Sequence, residues 1–170
     1  MVEMTLASIR VQMPDNVPVV LLKEATGAGA GSRTLPILIG HEEATAIARA
    51  IQGIEPPRPL THDLLRDLLQ HLEVEVEAIV ITELVESIFY AEIRMRREGR
   101  RYVVSSRPSD AIALAVRIGT PIHAEEALLD AEAYVLQDED AETEADGQQD
   151  EVIEKFQRFI EDIRPEDFAS

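Results

Sequence analysis

Two short segments carry the residue types that phosphate chemistry needs, each just ahead of an apolar run: Arg58-Pro59-Leu60-Thr61-His62-Asp63 and Ser105-Ser106-Arg107-Pro108-Ser109-Asp110. In the first, Arg58 lies between two prolines, and Thr61, His62 and Asp63 fall on the first turn of a helix, where backbone N–H groups point outward unpaired. An arginine beside such a helix start can hold a phosphate through paired guanidinium hydrogen bonds. In the second, Pro108 suits the first helical position, which leaves Arg107 as the cap, a position arginine fills poorly. That misfit points to a task other than capping. Each motif alone also has a plain account: Thr61 caps its helix, Asp63 and Asp110 complement a helix dipole, and His62 sits at the surface.

If the two helix starts converge, they supply two carboxylates, two guanidiniums and a histidine. Asp63 and Asp110 would then hold Mg²⁺ or Mn²⁺, with Glu43 as a third candidate ligand, and such a cation polarises phosphate and generates hydroxide. His62 would act as general base or ligand, and Arg107 and Arg58 would stabilise charge on the phosphate. Thr61, Ser106 and Ser109 complete the set as substrate-binding hydroxyls. The chain has no Cys, so His, Asp and Glu are the strong metal ligands left to it. The Gly27–Gly31 run feeds a strand through Arg33 and Thr34 and reads as a flexible loop, not as a phosphate cradle. Arg94, Arg96, Arg97, Arg100 and Arg101 cluster at one hairpin, as a charged edge that blocks strand pairing or as a nucleic-acid track.

The elements that must position these residues follow from periodicity. Residues 2–11 and 16–24 are β-branched and apolar around the turn Met13-Pro14-Asp15-Asn16, a hairpin pattern. Leu35–Ile39 reads as a strand, with Pro36 suggesting an edge. Ala44, Ile47, Ala48 and Ile51 have helical spacing up to Gly53, and three prolines then keep residues 54–59 extended. After Thr61, read as the N-cap, Leu64, Leu65, Leu68, Leu69 and Leu72 predict one apolar helix face. Residues 73–82, with Val74, Val76, Ala78 and Val80 on one side, 88–96 and 102–105 predict a three-stranded antiparallel meander. Ala111–Val116 is apolar all round, the mark of a buried helix, and Glu125–Leu129 suggests a short further one.

The hydrophobic share is 45% with no Trp, so the core must come from Ile, Leu, Val and Ala. A net charge of −17 argues against nucleic acid, but its distribution matters. Residues 124–170 hold 17 acidic against 3 basic side chains, which leaves a net of −3 for residues 1–123. Residues 137–151 read as an acidic disordered linker, and residues 152–170 as an amphipathic C-terminal helix in need of a docking surface or protein partner. No leader and no apolar stretch of spanning length stands out, so a cytoplasmic location without membrane is expected. The fold expected is α+β, a mainly antiparallel sheet of hairpins with packed helices, as one domain over residues 1–136.

At four places the chain resembles the bifunctional nuclease family: Leu35–Gly40, Glu43–Ala48, Pro57–Leu65 and Ser106–Leu114, in order and with specific spacing. The resemblance covers roughly residues 4–135, and Arg164-Pro165-Glu166-Asp167-Phe168 is similar to the ending of actinobacterial members. It implies a single α+β domain, often a homodimer, with RNA or DNA as substrate. Carried over by position, its polar residues are Glu43, Arg58, Thr61, His62, Asp63, Ser106, Arg107, Ser109 and Asp110. The expected function is therefore hydrolysis of phosphodiester bonds. The alternative is a non-enzymatic module that uses the same residues to bind phosphate, a nucleotide or a partner protein.

Overall fold

The computed structural model describes residues 1–25 and 31–135, which belong to one unit, Met1–Val135. The glycine loop, the acidic linker and the C-terminal helix of the sequence reading lie outside the described residues.

The first hairpin forms as expected: β1 (Val2–Gln12) pairs antiparallel with β2 (Val17–Glu24), and β2 with β3 (Arg33–Leu38). The meander also forms, from β4 (Glu75–Val85), β5 (Ile88–Arg97) and β6 (Arg100–Ser106). Its second turn has Glu98 at φ 51° and Gly99 at φ 75°, the paired positive angles that a two-residue hairpin needs to match strand twist. Two strands were not foreseen. The three-residue β7 (Ile122–Ala124) runs parallel to β4 and antiparallel to β1, and so joins both strand systems into one sheet. β8 (Tyr134–Val135) pairs with the first residues of β3. The sheet order is β6-β5-β4-β7-β1-β2-β3-β8, with Pro36 beyond the reach of β8, on the open side of β3.

Among the described residues four helices complete the fold: α1 (His41–Ile51), α2 (Thr61–His71), α3 (Pro108–Ile118) and α4 (Glu126–Glu132). The core between them and the sheet is aliphatic, with Val20, Leu22, Leu35, Ile37, Ile79 and Ile81 from strands against Ile47, Ile112, Leu114 and Leu129 from helices. As its all-apolar sequence predicts, α3 is buried along most of its length. It packs between α1 and α2 and over β4 and β5. Gly119 ends it in the left-handed region, at φ 72°, where a Cβ would be strained. Arg33 ties β3 to α4 through Glu24, Glu126 and Asp130.

Three readings need correction. The N-cap of α2 is Leu60, not Thr61, and Asp63 supplies the missing acceptor by taking the Leu60 N–H at 2.9 Å. The expected alternation in β4 is broken by bulges at Val76/Ala78 and Ile81/Glu83, so the core face continues from Val76 to Ile79 and Ile81. The leucine face of α2 is divided: Leu65 and Leu69 pack on the core, while Leu64, Leu68 and Leu72 are about half exposed.

Candidate active site at three helix starts

The first turns of α1, α2 and α3 share one construction. None has a side-chain acceptor at its N-cap, which is Gly40, Leu60 or Arg107, and each carries an acid three residues on, Glu43, Asp63 or Asp110. Acids in a first turn offset the positive helix end. The three acids are then used differently.

Asp110 Oδ1 accepts a hydrogen bond from His62 Nε2 at 3.0 Å, which joins α3 to α2. The Arg107 guanidinium reaches Asp110 Oδ2 at 2.7 Å through Nε, and Glu43 Oε1 at 2.8 Å through its other end, which adds α1. The result is a chain Glu43–Arg107–Asp110–His62 across three helix starts. His62 and Glu43 are largely shielded, whereas the Arg107 side chain is 67% exposed and can meet a ligand from solvent. Gly40 makes room for this arrangement, since a Cβ there would collide with the Glu43 carboxylate.

Electrostatics sets the state of the dyad. Burial pushes the Asp110 carboxyl up, but hydrogen bonds from Arg107 and His62 outweigh it and hold the group below its ordinary value. An ionised Asp110 only accepts, so the proton shared with His62 sits on Nε2, and a neutral ring has its lone pair on Nδ1. Nδ1 has no hydrogen bond among the described residues and is not among their fully buried unsatisfied atoms, so it keeps some contact with solvent although the side chain is only 13% exposed.

Asp63 is not part of this chain. Its Oδ1 takes Arg117 Nε at 2.6 Å and its Oδ2 takes the Leu60 N–H. Arg117 also donates to the carbonyls of Ala113 and Ala46, so one guanidinium, only 5% exposed, links α3, α2 and α1. Burial raises the Asp63 carboxyl, yet these bonds bring it below its ordinary value. The sequence reading missed Arg117. Its one signal was a single charge within an otherwise apolar stretch, Ala111–Ile118.

The other expected residues lie around the chain. Arg58 is exposed on the proline linker with no ion pair among the described residues, and Thr61 is exposed at the first position of α2. Ser106 donates to the Arg107 carbonyl, and Ser109 is buried. The hairpin arginines are largely matched: Arg94 by Glu92, Arg96 by Glu75 and Glu77, and Arg101 by Glu77. Asp63, Asp110 and Glu43 do not meet at one point, and among the described residues no three His, Asp or Glu side chains are placed to share a metal ion. As placed, with both Asp63 oxygens bonded to Arg117 and Leu60 and both Asp110 oxygens to Arg107 and His62, this donor set does not fit a common cation. No helix of the described residues is long and apolar enough to cross a membrane.

An α+β sheet with polar helix starts gathered on α3 defines a class of small domain, and comparison with known proteins places it. The family model of the bifunctional nuclease domain matches residues 20–137, and the chain belongs to that family. It is 44% identical over 168 residues to an uncharacterized protein of Mycobacterium tuberculosis, covering 99% of this chain and 98% of that one. It is 28% identical over 115 residues to Bifunctional nuclease 2 of Arabidopsis thaliana, 65% of this chain and 34% of the plant protein. Bifunctional nuclease 1 of Oryza sativa subsp. indica is also 28% identical, over 91 residues, 52% of this chain and 28% of that protein.

Proposed function

We propose that the chain is a nuclease that hydrolyses phosphodiester bonds of RNA or DNA at the His62–Asp110–Arg107 site. The observation that carries this reading is the dyad itself: an ionised Asp110 holds His62 through Nε2, which leaves Nδ1 without a hydrogen bond among the described residues, and Asp110 also holds the exposed Arg107 guanidinium. His62 Nδ1 takes the proton from the attacking oxygen as the new P–O bond forms. The bond to the leaving oxygen breaks, and that oxygen recovers a proton from His62 or solvent. Arg107 compensates the charge that builds on the phosphoryl oxygens, and the exposed Arg58 and the Thr61 hydroxyl hold flanking phosphate. Asp110 is to His62 what the acid is in hydrolase triads, a holder of tautomer and orientation.

The test is turnover of labelled RNA and single-stranded DNA by the purified chain. His62→Gln is expected to lower the rate by about 10² to 10⁴ and Arg107→Ala by about 10². Both should stay folded, with a modest fall in melting temperature because each removes one partner of Asp110. Wild-type rates in both variants would sink the assignment. Turnover is expected to persist in EDTA, because no step above passes through a cation, and loss on chelation that Mg²⁺ or Mn²⁺ restores would return the metal to the mechanism. Saturable binding of oligonucleotide with no turnover would favour the non-enzymatic phosphate-binding module.

A further inference from the structure

A concavity lies between the end of α1, the proline linker, α2 and α3. It is a cavity of about 340 Å³ whose charged lining is Arg49, Arg66, Arg117, Asp63 and Glu55. We propose that this cavity is a phosphate site, which takes orthophosphate or a phosphomonoester, separate from the dyad. Neither His62 nor Arg107 lines it.

The argument begins with charge. In a chain with 33 acidic and 16 basic residues, a concave surface lined by three guanidiniums and two carboxylates runs against composition. Two of those guanidiniums are already balanced, Arg117 by Asp63 and Arg66 by Asp67. Arg49 is not. It is half buried on the last turn of α1, and its side chain has no hydrogen bond or ion pair among the described residues, whereas most other described arginines hold a carboxylate. A guanidinium drawn partly out of water with its N–H fork unfilled, at the wall of a cavity, suits a planar pair of oxyanion oxygens. The opposing group is Glu55, exposed on the linker and also without a partner among the described residues, which limits the affinity. The volume is at the small end for ligand sites, which favours a compact anion over a drug-sized molecule.

Calorimetric titration of the full chain with orthophosphate, 5′-AMP and adenosine, at constant ionic strength and neutral pH, tests the site. Orthophosphate and 5′-AMP should each saturate it, and adenosine should give no heat. Arg49→Gln should weaken binding about tenfold or more, the worth of a charge-assisted hydrogen bond. Glu55→Gln should tighten it, and Arg107→Ala should leave it in place. Adenosine binding as well as 5′-AMP, absence of any phosphate heat, or loss in Arg107→Ala with retention in Arg49→Gln would each overturn the proposal. If Arg49→Gln does not fold, Glu55→Gln decides: tighter binding supports the site and unchanged binding rejects it. Phosphate binding lost in Arg49→Gln with turnover intact separates this site from the nuclease reading.

Discussion

Asp63 and His62 are neighbours in sequence, yet they serve different partners because successive helical residues point about 100° apart. His62 faces Asp110 and Asp63 faces Arg117, so the motif that reads as one site in sequence divides into a chemical half and a structural half. The dyad residues were legible from their types at helix starts, and the reading of Arg107 as a misfit cap was sound, since its side chain caps nothing and pairs with Asp110 and Glu43. Direction around the helix was not legible, because it depends on a partner 54 positions along the chain. Both aspartates are held below their ordinary value, by the bonds named above against the effect of burial. A depressed carboxylate contributes stability that is fully present above its unfolded value, about 3.9, and is lost as pH falls through the lower folded value. The urea midpoint should therefore fall steeply only below about pH 4. Asp110→Asn should soften that fall, and denaturation at a series of acidic pH values reads both effects. A decline that begins near neutrality would assign the linkage to other groups.

At the scale of elements, Arg117 decides how three helices sit. Its bonds to Asp63, Ala46 and Ala113 fix α2 and α1 against α3, and therefore bring His62 and Glu43 to Arg107 and Asp110. Arg117→Ala leaves Asp63 buried without its paired guanidinium, with only the more distant charge of Arg66, which should cost about 3–5 kcal/mol. Arg117→Lys keeps the charge but lacks the planar fork for three acceptors, so an intermediate loss is expected. Chemical denaturation measures both, and a cost in Arg117→Ala no larger than that of an exposed pair would show that the tie does not hold the helices. Strong periodicity made the longer hairpin strands and α1, α2 and α3 readable. β7 escaped because three residues have no period to detect, and the β4 bulges because they arise from pairing with β5. Its few residues matter most to the sheet, since β7 is the bridge between strand systems.

For the whole molecule the proposed nuclease reading raises the question of how so acidic a chain would approach an anionic polymer. Eight acids lie between Asp138 and Glu151, almost half of the net charge of −17. They are outside the described residues, but negative charge carried on the same chain slows encounter with nucleic acid at low ionic strength. Exchanging all eight for their amides leaves a net of −9 and changes no described residue. The exchanged chain should associate faster with a labelled RNA oligonucleotide at low salt. The advantage should shrink as the Debye length falls from about 30 Å at 0.01 M to about 8 Å at physiological ionic strength. Dissociation should change little, because no residue of the dyad is exchanged. Stopped-flow association at several salt concentrations gives the comparison. An equal gain at every salt concentration would mean that these acids occupy the RNA site directly, and no gain at any would mean that the field of Arg107, Arg58 and the helix starts already governs approach.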